Sequence, residues 1–133
     1  GMMTLRIVLP GTPPSVNHMY RRFTYGGRTM DVITRRAQAW MDSVRLAAKA
    51  AAIRAGWEMV PAGQKVGGKL GFWWPNRTRR DTHNTLKALL DAWEGVLYAD
   101  DYWVLPRVMD VRIDRDNPRI EAEVEVMEEA LGV

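Results

Sequence analysis

Residues 79–101 carry side chains that packing alone does not call for: Arg79, Arg80, Asp81, His83, Asn84 and Lys87, then Asp91, and one helix-length on, Asp100 and Asp101. Carboxylates supply the hard anionic oxygens that a divalent cation prefers, and the arginines and lysine beside them supply positive charge for a polyanion. A cation held against a phosphodiester lowers the pKa of a bound water and shields the charge growing on the phosphate. The set therefore reads as the centre of a nuclease.

Those residues need elements to position them. A helix beginning at Thr82 or His83 is expected because Leu86, Leu89, Leu90, Trp93 and Leu97 recur at spacings of three and four. One face is then apolar, and the other carries His83, Lys87, Asp91 and Glu94. A strand over Lys65–Trp74 leads towards it and stops at Pro75-Asn76. Upstream, Met3–Leu9 alternates as a strand and ends in Pro10-Gly11-Thr12-Pro13-Pro14. Met19–Tyr25 and Arg28–Val32 flank Gly26-Gly27, a pair that accepts positive φ, and read as a hairpin. Thr34 as N-cap and Gly56 as stop bound a long helix rich in Ala and Arg, with Trp40, Val44, Ala47, Ala48 and Ala51 as its buried stripe. Val104–Ile113 and Arg119–Val126 read as a closing hairpin around Asp114–Pro118. Without a regular βαβ repeat, the expected fold is α+β: one two-layer domain over residues 1–133, with a mixed sheet packed against two main helices.

A chain of 133 residues has room for a single core. Its formal net charge of +3 is unevenly spread, with arginines crowding positions 21 to 54 and 77 to 80 and acids crowding the C-terminal tail. Arg21, Arg22, Arg35, Arg36, Arg77, Arg79 and Arg80 are the expected DNA-phosphate contacts of a basic face, and an ordinary solvated surface is the plainer reading. Cysteine is absent, which excludes disulfides, zinc–thiolate clusters and a cysteine nucleophile. The apolar runs are short and broken by charge, and no signal pattern opens the chain. A cytoplasmic protein with no membrane span and no small-molecule cofactor is expected. Gly1 ahead of Met2 reads as a remnant of tag cleavage.

Two stretches carry a family resemblance. Pro13-Pro14-Ser15-Val16-Asn17 with Tyr20 lies near the start. The centre holds Arg80-Asp81-x-His83-Asn84-x-x-Lys87-x-x-x-Asp91-Ala92, followed by Gly95 and Tyr98-x-Asp100-Asp101. In these motifs the chain resembles the RusA-type Holliday junction resolvases, small crossover junction endodeoxyribonucleases of phages and prophages. The resemblance implies a homodimer that binds four-way junctions and related branched DNA and, with Mg²⁺, resolves them by paired symmetric nicks in DNA recombination and repair. Residue by residue, it implies metal-binding positions at Asp81, His83 and Asp101, with an essential lysine at Lys87 completing the catalytic set. Asn84, Asp91 and Asp100 then orient the ligands or bond to backbone near the helix ends.

At His83 the family's usual residue is a second aspartate, and a neutral imidazole is a softer ligand that suits Mn²⁺ better than Mg²⁺. Three readings of it stay open: direct ligation, hydrogen bonding to a metal-bound water, or a weakened centre in a protein that binds branched DNA without cutting it efficiently. Lys87, at i+4 from His83, projects from the same helical face towards a phosphate or leaving oxygen.

Every one of these residues also has a plainer use. Asp81 suits a helix N-cap, His83, Lys87 and Asp91 a solvated face, and Asp100-Asp101 a polar turn. Trp40 and Trp93 are expected in the core. Adjacent Trp73 and Trp74 must face opposite ways, and an exposed one near Arg77, Arg79 and Arg80 either stacks on an unpaired base or packs. Geometry sets a condition as well, since a helix over residues 84–94 is roughly 16 Å long and parts Asp81 from Asp101. Residues 95–101 reach roughly 23 Å when extended, so they either run back beside the helix or leave Asp101 to meet the partner subunit's Asp81.

Overall fold

The structure, a computed structural model, describes residues 3–15 and 19–127; Val16 and Asn17 of the N-terminal motif lie outside them. Strand β1 (Thr4–Pro10) buries every second residue, Leu5, Ile7 and Leu9. A hairpin follows, β2 (Tyr20–Tyr25) and β3 (Arg28–Ile33), its turn made by Gly26 at φ 57° and Gly27 at φ 77°. Helix α1 (Arg35–Ala55) starts where the Thr34 side chain accepts from the Ala37 amide at 3.2 Å and stops at Gly56 in the left-handed region, φ 67°. Then come β4 (Val66–Trp74), α2 (Thr82–Trp93), β5 (Val104–Ile113) and β6 (Arg119–Val126).

Four strands form one mixed sheet in the order β1-β6-β4-β5, while β2 and β3 pair only with each other. Strand β6 is antiparallel to both of its neighbours, and β4 and β5 run parallel. The expected α+β architecture is the one found. Register sets the core in rows across the sheet: Leu9 opposite Ile120 opposite Phe72, and Ile7 opposite Ala122 opposite Leu70. Val44, Ala48 and Ala51 of α1 and Leu89, Ala92 and Trp93 of α2 join these residues in one buried cluster. Trp93 is fully buried, its indole N–H donating to the Val44 carbonyl at 3.0 Å, whereas Trp40 is only half-buried at the margin.

The closing hairpin is corrected. β5 and β6 are not neighbours: β6 lies between β1 and β4, and β5 takes the edge beside β4. Burial explains the exchange. Strand β6 buries Ile120, Ala122 and Val124 and finds partners on both sides, as an inner strand must. Strand β5 is largely exposed and contains Pro106, which cannot donate to a ladder and is tolerated at an edge. Crossing to the far side of β4 makes β4-α2-β5 a βαβ unit, with α2 as the crossover.

Trp73 and Trp74 do face opposite sides. Trp74 is buried and stacked on Phe72, with ring centroids 5.7 Å apart. Trp73 lies on the outer face beneath the Arg119 guanidinium, whose Cζ is 4.4 Å from the ring centroid. That ring covers Gly71, where an added Cβ would come within 2.5 Å of Trp73 Cζ3. Gly71→Ala should therefore destabilise the fold by about 1–3 kcal/mol through overpacking. Urea unfolding should also show a much smaller cost when the same change is made in a Trp73→Ala background.

Candidate metal centre and basic groove on helix α2

The N-terminal end of α2 is organised by Asp81. One carboxylate oxygen accepts from the Asn84 amide N–H at 3.0 Å, the other from the Asn84 side-chain N–H at 2.7 Å, and the Thr85 hydroxyl donates to the Asp81 carbonyl at 3.1 Å. Asp81 is thus an N-cap, and Asn84 orients it. A groove of about 920 Å³ opens at this point, where the C-terminal ends of β4 and β5 meet the start of α2. Parallel βαβ units leave their crevices in this position. Asp81, His83, Arg79 and Arg80 line it together with Pro13, Pro14 and Arg36.

The arginines of the expected basic face divide by environment. Arg35 and Arg36 stand in the first turn of α1, which holds no acid, so their charges face the positive end of a helix dipole. That arrangement is unfavourable until an anion arrives. Arg77 and Arg79 are exposed in the loop before α2. Arg80 instead braces that loop, with its Cζ 4.9 Å from the Trp74 ring centroid and its Nη1 donating to the Asn76 and Thr78 carbonyls at 3.2 and 3.1 Å. Arg21 and Arg22 lie on the β2–β3 hairpin, Arg22 3.7 Å from Asp31.

His83, Lys87, Asp91 and Glu94 are all exposed and spaced by four, four and three, so one face of α2 runs from cationic to anionic. Lys87 makes no ion pair among the described residues.

At its C-terminal end α2 is closed by a tight turn. Gly95 at φ 84° lets its amide donate to the Tyr98 carbonyl at 2.8 Å, and the Leu97 amide reaches the Trp93 carbonyl at 3.0 Å. The turn is pinned from the neighbouring segment. Ala99 N–H donates to Val60 O at 2.8 Å, and Val60 N–H and the Trp57 indole both donate to Leu97 O, at 3.1 and 3.0 Å. The buried Tyr98 hydroxyl donates to Leu90 O at 2.7 Å, and burial, with the charges of Asp101, Glu94 and Asp91, keeps it protonated far above the usual tyrosine range.

Asp100 and Asp101 are thereby folded back onto the end of the helix, where the Asp101 amide donates to Glu94 Oε2 at 3.0 Å. Carboxylate oxygens of Glu94, Asp100 and Asp101 lie within 4.8 Å of one another. A hydrogen bond with Asp91 is the main cause that raises the Asp101 pKa above its ordinary 3.8, helped by partial burial and by the Asp91 and Asp100 charges and opposed by the hydrogen bond with Glu94. An all-carboxylate donor set with a surplus of negative charge fits a hard divalent cation. The sequence places Glu94 only on the polar face of the helix; its i+3 spacing from Asp91, just ahead of a turn glycine, is the signal that marks it.

The run of residues 95–101 back along the helix does not occur. Those residues curl into the turn, and Asp101 stays against Asp91, about 15 Å along the axis from Asp81 at 1.5 Å per residue. Within one chain the expected ligands therefore fall into two groups: Asp81 and His83 at the start of α2, and Asp101 with Asp91, Glu94 and Asp100 at its end.

A protein-family model described as Endodeoxyribonuclease RusA matches residues 10–125, most of the chain and both ends of α2. No individual curated protein matches it.

The raised Asp101 pKa fixes the sign of a pH effect. Its contribution to stability is fully present below 3.8 and is lost as pH rises through the higher folded value. Above that window, without divalent cations, Asp101→Asn should melt at a higher temperature than the wild type, and the gap should close towards pH 3.8. Adding Mn²⁺ should raise the melting temperature of the wild type and leave Asp101→Asn nearly unmoved, which thermal melts across pH will check.

Proposed function

The chain belongs to the RusA endodeoxyribonuclease family, and on that premise we propose that it is a metal-dependent, structure-selective endonuclease that acts as a homodimer on four-way junctions and related branched DNA. The observation that carries this reading is the gathering of Glu94, Asp100 and Asp101 at one end of a helix whose other end opens on a basic groove. Asp101, Glu94 and Asp100 would hold the cation, with Asp81 and His83 completing the set. Mg²⁺ or Mn²⁺ bound there would acidify water and offset charge on the scissile phosphate.

The chain's own groups do the rest. Arg35, Arg36, Arg77 and Arg79 bind backbone phosphates and fix the register of the DNA without reading its sequence. Lys87, free of ion pairs among the described residues, holds its ammonium where negative charge grows on a phosphate or leaving oxygen. Asn84 keeps the Asp81 carboxylate in one orientation through its two hydrogen bonds. His83 gives the set a softer donor, which favours Mn²⁺.

Because α2 parts the two groups of ligands, each complete site takes Asp81 and His83 from one subunit and Asp101 from its partner. Two-fold symmetry then produces two equal sites, as paired nicks require.

Subunit mixing tests this arrangement. Asp81→Asn and Asp101→Asn should each fail to nick a synthetic four-way junction. Dimers re-formed from an equal mixture of the two should regain about a quarter of wild-type nicking, since half the dimers are mixed and each mixed dimer has one intact site. A mixture as inactive as its components would require a site within one chain. Wild type that binds the junction yet leaves it uncut in both metals would favour the DNA-binding reading. His83→Asp should move the preference from Mn²⁺ towards Mg²⁺, raising the Mg²⁺/Mn²⁺ ratio of nicking rates by roughly tenfold or more.

A further inference from the structure

We propose that the β2–β3 ribbon enters the branch point of the DNA, with Phe23 and Tyr25 stacking on base faces left unstacked there; this rests on the junction-nuclease reading above. The register divides the ribbon into two unlike faces. Arg22 opposite Asp31 and Thr24 opposite Thr29 occupy one face, and both pairs interact directly, at 3.7 Å and 3.3 Å. Arg21 opposite Val32, Phe23 opposite Met30 and Tyr25 opposite Arg28 occupy the other.

The second face is apolar in its middle and uncovered. Phe23 is 50% exposed, Tyr25 76%, Met30 48% and Val32 43%. A two-stranded sheet with a bare aromatic strip is marginal in water, and among the described residues none of the four joins a buried cluster.

Charge decides the occupant. Arg21 and Arg28 stand at the two ends of the strip, so a polyanion carrying flat apolar rings matches it, whereas a second copy of the ribbon would bring four arginines together. DNA bases are such rings, and stacking accepts any base. The gain is restricted to branched DNA, because a linear duplex has no unstacked base to offer. The tip is narrow as well, since Gly26 and Gly27 carry no side chain and have open space around them.

The root of the ribbon is firm. Thr34 N–H donates to Met19 O at 2.8 Å, and the buried Met19 side chain packs with Ala37 of α1 and Ala88 of α2. The ribbon thus stands on the helix that carries His83 and Lys87.

Full-length protein in EDTA, where cleavage is arrested, tests the inference by anisotropy on a four-way junction and a linear duplex, with 2-aminopurine at the branch point. Phe23→Ala/Tyr25→Ala should lose junction affinity by about tenfold or more while changing duplex affinity by no more than about twofold. It should also lose the 2-aminopurine response. Phe23→Tyr/Tyr25→Phe should restore both, and Phe23→Leu/Tyr25→Leu, which keeps the apolar strands, should still lack them. An equal loss on junction and duplex, or dissociation of the dimer by Phe23→Leu/Tyr25→Leu in sedimentation, would overturn the inference and leave the nuclease reading standing. A wild type with no preference for the junction would overturn both.

Discussion

The stiffness of α2 is the constraint on which the rest turns. Its twelve residues are capped at the start by Asp81 and held at the finish by Arg45, whose Nε donates to the otherwise unpaired Ala92 carbonyl at 2.9 Å. Trp93, without exposed surface, fixes its rotation by packing into the core and bonding to α1. A helix so bound cannot bend its ends together, so the chemistry at its two ends is separated by its length. The basic groove belongs to one end and the carboxylates to the other.

Electrostatics at both ends runs against the stability of the isolated chain. Helix dipoles favour acids at the N-terminus and bases at the C-terminus, and α1 and α2 do the reverse where it matters. Arg35 and Arg36 open α1, while Asp91 and Glu94 close α2 with Asp100 and Asp101 folded onto them. The Asp101 pKa is raised there, first by its hydrogen bond with Asp91, then by partial burial and only after these by the neighbouring charges. The β5–β6 connection shows the opposite case, an acid matched to a base. Asp114 accepts from Arg119 at 2.9 Å, and that hydrogen bond, before any other cause, holds the Asp114 carboxyl below its usual range. One site short of anions and another short of cations are what the proposed action on a polyanion through a dication would need before its ligands arrive.

Much of this was legible in the sequence because it is written in local chemistry. Thr34, Gly56 and Asp81 mark helix ends through hydrogen bonds made within a turn, and Gly26-Gly27 marks a hairpin through φ alone. The leucine and tryptophan stripe of α2 shows in its own period. What was not legible is non-local. Strand neighbours depend on which faces and edges the remaining strands have already taken, so β5 and β6, adjacent in sequence, were read as a hairpin although β4 lies between them. The turn after Gly95 was likewise hidden, because bonds to Val60 and Trp57, more than thirty residues upstream, decide that Asp101 folds back at once instead of running along the helix. Glu94 is hidden for the same reason: its carboxylate comes beside Asp100 and Asp101 only once that turn closes.

The separation along α2 also bears on symmetry. In an isologous pair, whatever one subunit's N-terminal end meets on its partner, the partner's N-terminal end meets in return. If the start of one α2 faces the finish of the other, as the proposed dimer requires, two complete sites form together and neither forms alone. Cationic and anionic ends would then attract across the interface, so the charge gradient from Lys87 to Asp91 and Glu94 would guide assembly as well as chemistry. A chain that kept all its ligands at one end would gain neither property: it could cut as a monomer, and nothing would oblige its second cut to accompany the first.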